Sequence, residues 1–144
     1  LKGNRVSRNQ IMAIKEESVT EQKNSLAVCL DNILRHAGIT RNTEYDLAQG
    51  KTATTILSEN MTGVQVLDLS GCTLDAVLYY VNQDIPVLAI LEDGEAVLVT
   101  GFNEFNVVIM EPATGKLYKK GMNDATAWFA ENGNHFITYM RTEN

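Results

Sequence analysis

Two cysteines, Cys29 and Cys72, and two histidines, His36 and His135, are the side chains of this sequence that could form a thiol–imidazole pair. Such a pair makes a nucleophile because imidazole titrates near neutrality, so it can stabilise a thiolate and later return the proton to a leaving amine. The spacing argues against it here. Cys29 falls on one helical face with Leu26, Leu30 and Ile33, and a thiol in apolar surroundings is harder to ionise, the opposite of activation. His36 lies about 10 Å further along the same helix, too far for proton transfer, and reads as a surface residue. His135 reads as the first residue of a late strand. The two cysteines lack the spacing of a zinc site and are too few for a disulfide framework. Two separate buried thiols are expected, with one bridge between them as the alternative in a secreted parent protein. No cofactor and no metal is expected.

The elements that must carry these residues follow from periodicity. Ser18 and Glu21 have capping-box spacing, and Leu26, Leu30, Ile33, Leu34 and Ala37 then share one helical face before Gly38 offers a stop. A second helical stretch is expected within residues 44–61, broken at Gly50 and ended by Gly63. An extended piece over 64–69 precedes a turn at Ser70-Gly71-Cys72-Thr73. Leu74, Val77, Leu78 and Val81 then return to helical spacing. From there the period changes. Residues 86–91 and 96–100 read as antiparallel strands around Asp93-Gly94, a dipeptide suited to hairpins. Residues 106–110 and 117–119 extend the meander. A helix capped by Asn123 carries Trp128 and Phe129 to Asn132-Gly133, and 135–140 alternate as a closing strand. Helices first and an antiparallel sheet after make the class α+β.

Composition narrows the function. The chain has 144 residues, 44% hydrophobic and 21% charged, the profile of an ordinary globular domain long enough to bury a core. A formal charge of -6 excludes the clustered basic surface that nucleic-acid binding requires. Residues 85–91 form the longest central apolar run, far short of the ~20 needed to cross a bilayer, so no membrane insertion is expected. The chain starts Leu1-Lys2-Gly3 without an apolar signal core, which reads as a piece of a longer protein. Residues 1–17 read as an N-terminal arm or lead-in helix, and 18–144 as one domain.

Three local signatures carry a resemblance. Asn24-Ser25-Leu26-Ala27-Val28-Cys29-Leu30 sits at the first helix. Gly94-Glu95-Ala96-Val97-Leu98-Val99-Thr100-Gly101-Phe102 forms the hairpin. Met110-Glu111-Pro112-Ala113-Thr114-Gly115 follows the third strand. Together with the order of elements, they resemble the papain-like cysteine peptidases of the bacteriocin-processing, double-glycine type, over roughly residues 18–140. The resemblance implies a papain-like fold in which N-terminal helices pack against a C-terminal antiparallel sheet. It also implies a bacterial protein that is secreted or in the cell envelope.

In that family a Cys opens the first helix, a His follows the hairpin glycine and an Asp-Pro ends the third strand. Here the resemblance puts Ser25, Glu95 and Glu111 at those places. The oxyanion-hole Gln falls on Val19, with Gln22 close by. A carboxyl group, ordinarily titrating near pH 4, is a feeble base toward a hydroxyl, so Ser25 has no activator and reads as a first-turn structural residue. Were Glu95 and Glu111 near neighbours, paired carboxylates would be raw material for acid/base or metal chemistry, but no further ligand completes a set.

The expectation is a catalytically inactive peptidase-like domain acting as a peptide-binding or structural module within a larger protein. Its partner would be an extended peptide or other domains of the parent. Tyr79, Tyr80 and Phe102 are candidates to line the cleft and otherwise read as core. The alternative is an active thiol peptidase or amidase with Cys29 as nucleophile. The arm over residues 1–17 could fill the cleft as an occluding segment.

Overall fold

A computed structural model describes residues 10–11 and 24–142. In chain order the elements are β1 (Gln10–Ile11), α1 (Ser25–His36), α2 (Glu44–Ala48), α3 (Ala53–Asn60), β2 (Val64–Asp68), α4 (Leu74–Val81), β3 (Val87–Ile90), β4 (Ala96–Phe102), β5 (Asn106–Glu111), β6 (Lys116–Gly121), α5 (Met122–Glu131) and β7 (His135–Arg141). This is the expected α+β arrangement.

Helix α1 starts where Asn24 supplies a cap: its side chain accepts from the N–H groups of Leu26 at 2.8 Å and Ala27 at 3.3 Å, two of the orphan donors of a first turn. The expected capping box at Ser18 and Glu21 lies outside the described residues. Its far end closes at Gly38, whose φ of +87° suits a residue without Cβ. There Gly38 N–H donates to the Arg35 carbonyl and Ile39 N–H to that of Leu34. The stretch over 44–61 splits into α2 and α3 around Gly50, as its spacing predicts. Thr52 and Thr73 cap α3 and α4 through their hydroxyls. One cap differs from expectation. Helix α5 begins at Met122, and Gly121 rather than Asn123 precedes it, with no side-chain cap. The Met122 N–H is satisfied instead by the Phe105 carbonyl at 2.8 Å, so a turn distant in sequence does what a capping side chain would do.

The sheet is antiparallel throughout, in the order β2-β7-β3-β4-β5-β6, with β1 pairing to β4 off that path. Strands β3 to β6 form the meander that the turn dipeptides predict. The closing strand, however, inserts between β2 and β3, which brings the early extended piece into the same sheet. Strand β3 takes positions 96–99 on one edge of β4, and β1 takes Gly101 and Phe102. Because β5 occupies the other edge, β1 and β3 lie end to end. An irregularity between Val99 and Gly101 leaves Thr100 as the extra residue of a bulge.

Every residue of β4 is buried. Successive strand residues face opposite sides, so both faces of the sheet are covered here, and α1 and α4 both pack against this strand. The resulting core runs through Leu30, Ile33 and Leu34 of α1, Leu78 of α4, Leu88 and Leu98 of the sheet, and Phe129 of α5 against Phe136 of β7. Among the described residues no helix is long and apolar enough to cross a membrane.

Candidate functional site

Ser25 is the first residue of α1 and only 9% exposed. Its Oγ accepts a hydrogen bond from the N–H of Ala96, the first residue of β4, at 2.9 Å. Helix start and strand start are 71 positions apart in sequence and are held together at this point. The hydroxyl therefore spends one of its two acceptor sites on a buried main-chain donor. Among the described residues no hydrogen bond joins Ser25 to a carboxylate or an imidazole.

Glu95 stands immediately before Ala96, exposed, at the end of the hairpin turn. Its N–H donates to the Asp93 carboxylate at 2.9 Å and its carbonyl accepts from Leu91 N–H at 2.8 Å, so its backbone closes the turn that Gly94, with φ of +86°, makes possible. Glu111 ends β5. Its Oε1 accepts from the Thr114 hydroxyl at 3.2 Å and its carbonyl from Gly115 N–H at 2.7 Å, so it organises the next hairpin. One step beyond the pair Leu98↔Met110, Glu111 falls beside Val97. Glu95, one residue before β4 begins, stands just beyond the same end of this register. Ser25, Glu95 and Glu111 thus gather at one end of the β4–β5 ladder.

Tyr118 joins them. The pairs Glu111↔Lys116 and Ile109↔Tyr118 place its side chain diagonal to Glu111. Burial first, and then the Glu111 charge, push its phenol above the ordinary range. The sequence pattern does not single out Tyr118. Only the alternation along β6, read together with the register of β5, would find it.

Cys29 lies one helical turn beyond Ser25, completely buried in the core cluster, and burial alone pushes its thiol far above the usual range. Cys72 is half-buried. Both are free thiols, so no bridge forms between them.

The two histidines lie elsewhere. His36 ends α1, about 17 Å along the helix from Ser25. The expectation of a surface residue is corrected: its side chain is 11% exposed, and Nε2 donates to the Asp84 carbonyl at 3.1 Å. This draws the helix end onto the α4–β3 connection. His135 opens β7 as expected. It shares a cross-strand row with Ile90 and Ala96, two strands and roughly 10 Å from Ala96. Asp68 is held below the usual carboxylate range mainly by the Ser70 hydroxyl and N–H, with a smaller contribution from His135.

The aromatic residues divide. Phe102 is buried in the core, whereas Tyr79, expected there or in a cleft, is 53% exposed with its ring edge-on to Tyr80. Val19 and Gln22 lie outside the described residues. Of the arm, only 10–11 are described, and they pair at Gly101 and Phe102, roughly 20 Å along β4 from Ala96. Among the described residues no group of three or more His, Cys, Asp or Glu side chains could hold a metal ion.

No family profile and no curated protein matches the chain. Among solved structures it is similar to that of a Bacillus anthracis protein named as a C39-like peptidase. The TM-score is 0.74 at 12% sequence identity, over 93% of this chain and 98% of that one. At that identity the likeness shows the fold: the α+β architecture of a C39-like, papain-like peptidase.

Proposed function

We propose that this chain is a catalytically inactive peptidase-like domain that works as a peptide-binding or structural module of a larger protein. The observation that carries the reading is the bond from Ala96 N–H to Ser25 Oγ. At the place where α1 meets the sheet, the residue in the nucleophile's position is a hydroxyl engaged as a main-chain acceptor. Beside its partner Ala96, the adjoining ionisable residue is the carboxylate of Glu95. A hydroxyl needs a base to give up its proton, and a base of neutral-range pKa is the usual agent; His36 stands about 17 Å along the helix from Ser25, and His135, though in the row of Ala96, is two strands and roughly 10 Å from it. The burial of Cys29 speaks against the alternative in which it is the nucleophile, since a thiol that must ionise in apolar surroundings is inert.

Site-resolved alkylation tests this. With iodoacetamide near pH 7 and peptide mass mapping, Cys72 should be modified in the native protein and Cys29 only after denaturation. Rapid native modification of Cys29 would overturn the inactive reading. For binding, the protein's melting temperature should rise in the presence of some members of a panel of extended peptides. No shift across the panel would leave the structural role alone.

A further inference from the structure

We infer that a cavity at the C-terminal end of α1 is a binding site for small organic carboxylates with an apolar body. The cavity is about 660 Å³, within the range of small-molecule sites. Its walls come from three elements that the sequence keeps far apart: His36 and Ile39 at the end of α1, Met61 and Val64 at the α3–β2 connection, and Tyr139 and Arg141 on β7. Met61 and Tyr139 are nearly inaccessible and back the cavity with apolar and aromatic groups, while more of its accessible lining is polar than apolar.

Arg141 supplies the charge. A guanidinium carries five donors in a fork that fits a carboxylate bidentately. Here one is spent, at 3.4 Å, on the Gln83 carbonyl. Among the described residues no carboxylate lies within ion-pairing distance of it, in a chain of net charge -6. The guanidinium carbon sits 6.0 Å from the Tyr139 ring, which places the cation against the aromatic wall. Two features oppose an anion. The negative pole of α1 points here, but it is largely closed, because the Ile33, Leu34 and Arg35 carbonyls accept from Ala37, Ile39 and Gly38. Asp84 is the stronger opponent, with Oδ2 3.5 Å from His36 Nε2 and its side chain 59% exposed. Its φ of +67° is one that Asn also tolerates, so Asp84→Asn removes the charge without straining the turn. The site stands at the opposite end of α1 from Ser25 and does not depend on the proposed function.

Calorimetric titration with 4-methylpentanoate and with acetyl-Ala-Leu, each against its own amide, tests the inference. At least one acid should bind, and its amide should bind about tenfold more weakly, the usual worth of a charge-assisted hydrogen bond. Arg141→Gln should cost about the same factor, and Asp84→Asn should tighten binding. Binding of the free acid alone would identify a small metabolite-like ligand, and binding of the dipeptide acid a peptide terminus; either supports the site. Equal affinity for acid and amide, unchanged affinity in Arg141→Gln, or no heat with either acid at millimolar concentration would overturn it. The acid-against-amide comparison uses the unaltered protein and so does not rest on any variant folding.

Discussion

Helix α1 is fastened differently at its two ends. At the start, Asn24 and Ser25 use small side-chain oxygens to satisfy main-chain donors, those of Leu26 and Ala27 within the helix and that of Ala96 across the domain. At the finish, His36 donates to the carbonyl of Asp84, while Arg141 beside it spends, among the described residues, one donor on the Gln83 carbonyl at the edge of a cavity. The first end is the one that, in a thiol peptidase, would carry the chemistry, and its polar groups are absorbed by the architecture. The second has donors to offer. Between them lies a run of core residues, Cys29, Leu30, Ile33 and Leu34, with no measurable exposure. The two ends thus differ in what their polar atoms are bonded to.

This contrast can be broken in order of effect. Leu30→Ala, in the middle of the helix, should cost about 2–5 kcal/mol in urea unfolding, the range for an apolar truncation in a closed core. Ser25→Ala should come next, at about 1–3 kcal/mol, because it leaves the buried Ala96 N–H without its acceptor. A cost near zero would mean that the bond is incidental to the junction. Cys29 gives a pH test. Its folded thiol is pushed far up by burial, whereas an unfolded thiol ionises near pH 8.5. Its contribution is therefore complete below about pH 8.5 and is lost as pH rises above it, by about 1.4 kcal/mol per pH unit. Cys29→Ala should flatten that alkaline slope while lowering stability at neutral pH. Asn24→Ala should have the smallest effect, about 1 kcal/mol, the worth of an N-cap.

Most of the fold is legible in the sequence where structure is local. The Asp93-Gly94 turn, the glycines at 50 and 63 and the spacing of Leu74, Val77, Leu78 and Val81 each determine an element through nearby atoms alone. What escapes is long-range. The pairing of β2 with β7, the docking of β1 on β4 and the Phe105 carbonyl that begins α5 depend on which segments meet, and side-chain periodicity does not encode that. His36 reads as a surface residue because its burial depends on Asp84, 48 positions away. The candidate site shows the same division: Ser25, Glu95 and Glu111 can be found along the chain by resemblance, but Tyr118 is visible only once the β5–β6 register is known.

The most direct test of the central claim, that Ser25, Glu95 and Glu111 stand where a thiol triad would, is to rebuild one. The alkylation rate at position 25 would be compared at pH 6 between Ser25→Cys and the triple variant Ser25→Cys, Glu95→His, Glu111→Asp. An unassisted thiol with a pKa near 8.5 is about 0.3% ionised at that pH, and one paired to imidazole is ionised by half or more. The account predicts a rate in the triple variant about a hundredfold above that of the single variant. Equal rates in two folded variants would contradict it, showing that these three positions do not converge on one site.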